Sequence, residues 1–251
     1  MKNISLPKSY KIAKYIHLTK RLTGMPAVTK GVHRGRDVYR VRSGGKTGTF
    51  LSNSKTGLKA KEVYEKREQI LAALKELEAS CEGIENEASG FCITPYEELQ
   101  MGKDFYFKAK AEASPHENRN RYVLNGVNYR SRAELVIAQV LTDLGLQFKY
   151  DCEVLCNDIR YTADFLVYLP EFGRCFMIEY LGRLDDEGYS HKNSIKLRDY
   201  LSCGYYFGTD LLVFCGNEVR MPTIDQIRGD ILHIVDTISL SHLTTAKAFT
   251  F

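Results

Sequence analysis

The sequence has no run of eighteen or more apolar residues, so no segment is expected to cross a bilayer as a helix. Its amino terminus, MKNISLPKSYKIAKY, has no continuous apolar stretch suited to a signal peptide. A cytoplasmic protein is the expectation. No C-x-x-C pair occurs among the seven cysteines, which argues against a zinc site or a disulfide framework. Cys175, Cys203 and Cys215 stand in apolar surroundings, where a thiol acts as a small hydrophobe, and reduced structural cysteines are expected. The six histidines show neither zinc-like pairing nor the makings of Ser-His-Asp chemistry, and His191 reads as a surface residue. The string Gly44-Gly45-Lys46-Thr47 resembles the end of a phosphate-binding loop, but the glycine required five residues earlier is replaced by Arg40, which excludes nucleotide binding there. No internal repeat is present.

Acid is scarcest at the start of the chain. Residues 1–60 hold 14 lysines and arginines and a single acid, Asp37, so a net charge of +4 over 251 residues conceals +13 in this segment and −9 in the rest. Such segregation is expected where one part of a protein grips a polyanion and another keeps acids for a metal.

Three segments follow from the pattern. Residues 1–80 read as a basic nucleic-acid-binding region: DVYRVR alternates as a strand, SGGKTG is a turn, and TFLS returns as the second strand of a hairpin. Within it, LKAKEVYEKREQILAALKELEA places Val63, Ile70, Leu74 and Leu77 on one helical face. Tyr10, Tyr15, Tyr39 and Phe50 are read mainly as a small core for the hairpin, with base stacking the alternative. Residues 81–120 read as an acidic linker. Residues 121–251 read in the order α-β-β-β-α-β-α, with short connections favouring antiparallel neighbours among the first three strands and a helical crossover to a parallel fourth. The expected class is α/β with a mixed sheet flanked by helices.

Two acids interrupt apolar strands of this last segment. In YTADFLVY, alternation places Thr162, Asp164 and Leu166 on one face; in CFMIEYLG, Glu179 follows a core-like run. A buried carboxylate needs a partner, and two on neighbouring strands repel unless a cation lies between them. Oxygen ligands favour Mg²⁺ or Mn²⁺. On the next helix Tyr189, Lys192, Lys196 and Tyr200 share a face, and Lys196 is placed to reach the acid pair, where it would hold the attacking water or stabilise charge on a phosphate. Glu134, three residues after Ser131, fits a capping box, while its face, shared with Ala138 and Leu141, turns it toward the sheet and a metal-site role.

These residues resemble the PD-(D/E)XK nuclease superfamily, with its restriction-endonuclease-like α-β-β-β-α-β core, over about 129–215. Asp164 in TADF matches the motif aspartate, with Ala163 in place of the preceding proline, and Glu179 in IEY matches the motif glutamate. The motif lysine two residues on is replaced by Leu181; the pattern resembles branches in which that lysine has migrated to the following helix, here Lys196, and in which Glu134 is the helix acid near the metal. The resemblance implies a metal-dependent endonuclease. Asp164, Glu179 and the carbonyl of Tyr180 would hold Mg²⁺, with DNA favoured over RNA as substrate. Lys20, Arg21, Arg34, Arg36, Arg40, Arg42 and Lys46, with Tyr189 and Lys192, are the candidate nucleic-acid contacts, gripping phosphates with little sequence preference. Double-strand cutting from one site per chain would favour a homodimer. Competing readings are a nucleic-acid-binding protein on a nuclease fold that has lost catalysis, and an interaction protein whose basic end takes an acidic partner.

Overall fold

The structure, a computed structural model, describes residues 5–94, 101–111, 122–217 and 220–246. In chain order these form α1 (Lys8–Gly24), β1 (Ala27–His33), β2 (Arg36–Ser43), β3 (Lys46–Leu51), α2 (Lys55–Ser80), α3 (Ile84–Ala88), β4 (Phe91–Ile93), α4 (Lys103–Lys108), β5 (Tyr122–Leu124), β6 (Val127–Tyr129), α5 (Arg132–Asp143), β7 (Gln147–Cys156), β8 (Ile159–Leu169), β9 (Arg174–Leu181), α6 (Glu187–Ser202), β10 (Leu211–Cys215), α7 (Ile224–His242) and β11 (Leu243–Thr245). Contacts divide the chain into two compact units, Lys11–Ile93 with 244 onward, and 1–10 with Thr94–Leu243. No described helix is long and apolar enough to cross a membrane.

The basic unit is built on a three-stranded antiparallel sheet in the order β1-β2-β3. Gly44 and Gly45, at φ 55° and 76°, make the two-residue turn between the paired Ser43 and Lys46, the left-handed pair that a tight hairpin needs. Arg34 and Gly35, at φ 50° and 74°, make an equivalent turn between His33 and Arg36. Sequence reading finds only the first hairpin, because Arg34 is a rare residue for a left-handed position and Lys30 and Gly31 break the strand signal of β1. Val28, Tyr39 and Ala60 pack together with Val41, Val63 and Tyr64, seating α2 against one face of the sheet. The opposite face carries the cross-strand rows Thr29–Arg40–Thr49 and Ala27–Arg42–Thr47, all exposed. Helix α2 starts where Ser54 Oγ accepts the Gly57 N–H at 3.0 Å, and its Ile70, Leu74 and Leu77 are buried as the spacing expects.

Helix α1 is absent from the sequence reading. Its first turn has no acid, the usual start signal, and its lysines mask the apolar Tyr10, Ala13 and Leu18, all buried. The expectation that Tyr10 and Tyr15 serve a hairpin core is therefore wrong: both belong to α1, where Tyr10 donates to Glu171 at 2.8 Å and Tyr15 to Glu78 at 3.2 Å. Tyr39 does serve the core. The segment expected as a linker carries α3, β4 and α4, while residues 95–100 and 112–120 of it lie outside the described residues.

The second unit holds the mixed α/β core. Its four-stranded sheet runs β10-β9-β8-β7, with β7/β8 and β8/β9 antiparallel and β9/β10 parallel, as the short loops and the α6 crossover dictate. Helix α5 packs on one face, where Tyr129, Tyr150 and Phe165 meet. On the other, Tyr106 of α4 and Tyr200 of α6 join Cys152, Val154, Ala163, Leu166 and Met177 in one apolar cluster.

The cysteines differ from expectation. Cys156, ending β7, and Cys203, just after α6, form a disulfide, a pairing 47 residues apart that no local spacing reveals. Cys175 is a buried thiol, but Cys215 is exposed, because the edge strand β10 turns its last side chain outward.

Candidate active site

The site lies where neighbouring strands part. Pairing of β8 with β9 runs from Leu169↔Arg174 to Phe165↔Ile178 and ends there, one position short of placing Asp164 opposite Glu179. On the other side of β8, the register passes from Tyr150↔Phe165 to Cys152↔Ala163 with no pair between Asp151 and Asp164, and Asp151 stands at φ 55°. Tyr161 and Ala163 pack in the same cluster as Leu166 and Tyr168, so side-chain alternation slips by one residue at Asp164. This corrects the assignment of Thr162, Asp164 and Leu166 to one face: strict alternation holds only while the ladder is unbroken.

Asp164, now free of the ladder, uses its side chain in place of the missing backbone contacts. Its Oδ2 accepts the Tyr180 N–H at 2.7 Å, and its Oδ1 takes Arg130 Nη2 at 2.8 Å. Tyr180 is held in turn by two close approaches. A Cβ added at Gly182 would lie 2.6 Å from its ring, and one at Gly216 2.5 Å from its hydroxyl, so a side chain at either position would displace Tyr180.

Glu179 is 2% exposed. Its Oε1 accepts Lys196 Nζ at 2.7 Å and the Tyr200 hydroxyl at 3.0 Å. The same ammonium donates to the Thr162 carbonyl at 2.7 Å, which fixes it between the two parted strands. Burial, with Asp164 adding its repulsion, pushes the Glu179 carboxyl up to about 7 against the opposing Lys196. Burial and Glu179 together raise the Tyr200 phenol well above its ordinary value, so it stays a donor.

Glu134 enters from α5. Ser131 caps the helix, accepting the Glu134 N–H at 3.1 Å, but the reciprocal half of the capping box is not made: the carboxylate accepts the Arg130 N–H at 3.0 Å and the Tyr150 hydroxyl. Burial and then Asp164 raise its carboxyl, against Tyr150 and Arg130. Four buried carboxylates, Glu134, Asp151, Asp164 and Glu179, thus face two cations, Arg130 and Lys196.

Beside it opens a cleft of about 660 Å³ lined by Tyr122, Arg130, Arg132, Glu134, Tyr180, Gly182, Arg183 and Tyr189 among others. Tyr189 is half-buried there, and burial followed by Asp164 raises its phenol. Lys192 and His191 are exposed on α6; Lys192 is not drawn into the cluster. Lys20, Arg21, Arg34, Arg36, Arg40, Arg42 and Lys46 are all exposed in the basic unit. Leu181, at the position of the missing lysine, is buried.

Arg130, Asp151 and Tyr150 are absent from the sequence reading. One signal points to Arg130: Asn125-Gly126 between YVL and VNY is a strong hairpin sequence. The turn it forms, at φ 51° and 81°, joins β5 to β6 and delivers Arg130 immediately before α5. Nothing local marks Asp151, whose role follows from the broken ladder. Buried acids outside the cluster serve the fold, as Asp210 does with Arg174 at 2.8 Å.

Among the described residues no group of three or more His, Cys, Asp or Glu side chains is arranged to hold a metal ion. Carboxylate oxygens are the donors that Mg²⁺ and Mn²⁺ favour. Set against protein-family models, curated proteins and solved structures, the chain matches none.

Proposed function

We propose that the protein is a metal-dependent nuclease that hydrolyses phosphodiester bonds of DNA, on a core of the restriction-endonuclease-like kind. The observation that carries the reading is that Asp164 and Glu179 both follow the last β8–β9 pair and are close enough to act on each other's charge, with Lys196 Nζ 2.7 Å from Glu179. The order α5-β7-β8-β9-α6-β10 supports the fold assignment, and the pairing of Lys196 with Glu179 supports reading it as the migrated lysine.

In this reading Asp164, Glu179 and the Tyr180 carbonyl hold Mg²⁺ or Mn²⁺. Bound there, the ion would position the scissile phosphate, lower the pKa of a bound water and stabilise the leaving oxygen. Lys196, fixed by Glu179 and the Thr162 carbonyl, orients the water or offsets charge growing on the phosphate. Tyr200 holds the shared Glu179 oxygen, and Glu134 adds negative charge on the α5 side.

The basic unit is the grip. Arg40, between Thr29 and Thr49, and Arg42, between Ala27 and Thr47, project from the exposed face of its sheet. A strand surface of this kind fits a duplex groove, where Arg and Thr meet phosphates and base edges. A homodimer would supply two sites for two strands.

A second reading, a DNA-binding protein without catalysis, draws on one observation: both Asp164 oxygens are taken by protein donors. Incubating supercoiled plasmid and a single-stranded oligonucleotide with Mg²⁺, Mn²⁺ or EDTA separates the two. The nuclease cuts at least one substrate with metal and none with EDTA; binding without cutting under every condition selects the second reading.

A further inference from the structure

Resting on the metal-dependent reading above, we propose that Arg130 is an internal stand-in for the metal: its guanidinium occupies the cation position beside Asp164 until a dication displaces it into the cleft, where it takes a phosphate of the DNA.

One guanidinium serves three carboxylates from three elements. Arg130 Nη2 lies 2.8 Å from Asp164 Oδ1 and 3.2 Å from Asp151 Oδ1, and Nε lies 3.8 Å from Glu134 Oε2. A dication bound at Asp164 would stand within a few ångströms of this charge, and two cations cannot share one carboxylate oxygen without strong repulsion in a buried setting. One must leave.

The anchoring of Arg130 permits the exchange. Its backbone N–H is held by Glu134 Oε2 and by the Tyr150 hydroxyl, each at 3.0 Å, and the next residue, Ser131, is the fixed N-cap of α5. The side chain alone is partly open, 27% exposed, and it borders the cleft with Arg132 and Arg183. It therefore turns outward by side-chain rotation, with the backbone unmoved. There the planar fork of donors suits a phosphate. Lys196 is the more enclosed of the two cations, its side chain 15% exposed, and is held by Glu179 and the Thr162 carbonyl.

The exchange gives Arg130 opposite effects on the two ligands. Removing it should tighten metal binding and weaken DNA binding, whereas a rigid structural anchor would lower both or neither. The experiment measures Mn²⁺ binding by electron paramagnetic resonance, without DNA, for the wild type, Arg130→Met, Arg130→Lys and Asp164→Asn, with circular dichroism to check folding. Affinity of a duplex oligonucleotide is measured with Ca²⁺ in place of Mn²⁺. Arg130→Met should bind Mn²⁺ about tenfold more tightly and the duplex about tenfold more weakly. Arg130→Lys, which keeps the charge, should bind Mn²⁺ as the wild type does, and it carries the test for DNA if Arg130→Met does not fold. Mn²⁺ binding that Asp164→Asn abolishes and that folded Arg130→Met leaves unchanged or weakens would overturn this proposal alone. Absence of Mn²⁺ binding in both the wild type and Arg130→Met would overturn the metal-dependent reading together with it.

Discussion

Asp164 Oδ2 accepts the backbone N–H of Tyr180 at 2.7 Å, a carboxylate standing in for the ladder carbonyl that β8 would offer if it stayed paired with β9. The contact ties the strand opening to its chemistry: the acid that would bind metal also bridges the two strands across the gap. Asp164→Asn keeps an oxygen for the Tyr180 N–H and removes the charge. Cleavage should fall by at least about 100-fold, the scale seen when a group acting on transition-state charge is lost. The fold should survive, as thermal melting and circular dichroism would show.

Lys196 and Glu179 form the most enclosed ion pair of the site. Lys196→Met leaves a buried carboxylate without its cation, which protonation of Glu179 partly relieves. We expect a loss of roughly 1–3 kcal/mol, read from urea denaturation, and loss of cleavage with DNA binding retained. Cleavage unchanged in a folded Lys196→Met protein would remove the lysine from the chemistry and leave the acids.

The pH dependence follows from Glu179. Its carboxyl is raised from 4.5 to about 7, so the folded chain binds this proton more tightly than the unfolded chain does. The resulting stabilisation is full below pH 4.5 and is lost as pH rises through about 7, a change of roughly 3 kcal/mol. Metal-free protein should therefore melt lower at about pH 8 than at about pH 5.5, and saturating Mg²⁺ should narrow the gap, since a dication favours the ionised carboxylate. Glu179→Gln should abolish this step in a calorimetric pH series.

On the sheet face of the basic unit, Arg40 and Arg42 are exposed and free of neighbouring acid on their cross-strand rows. Replacing both with alanine should weaken duplex binding and reduce the slope of log affinity against log salt by about 2 if each arginine contacts one phosphate. Fluorescence anisotropy over a salt series measures it. A weakened affinity with an unchanged slope would assign the arginines to base edges.

The Cys156–Cys203 disulfide joins the end of β7 to the end of α6, the helix that carries Lys196 and Tyr200. Reduction, or Cys203→Ser, should cost about 2–4 kcal/mol, measured as a fall in melting temperature relative to the oxidised protein.

Much of this arrangement was legible in sequence. Strands β7, β8 and β9 and helix α6 fall where alternation, apolar runs and helix formers place them, and Lys196 lies beside Glu179 because a helix interior one crossover away has few other places to put it. Other features depended on contacts between distant segments. The slip of alternation at Asp164 arises from a ladder broken on both sides, the disulfide joins segments far apart, and Arg130 is brought in by a hairpin too short to bear an apolar pattern. Helix α1 was hidden for a different reason: charge dominated a segment whose buried residues include a lysine, Lys11, beside Tyr10, Ile12, Ala13 and Leu18.

The most direct test compares wild type, Asp164→Asn and Glu179→Gln for cleavage of supercoiled plasmid and a single-stranded oligonucleotide, with Mg²⁺ or Mn²⁺ and with EDTA. The account expects cutting by the wild type only, and only with metal. Cutting that persists in either folded variant, or in EDTA, would contradict it.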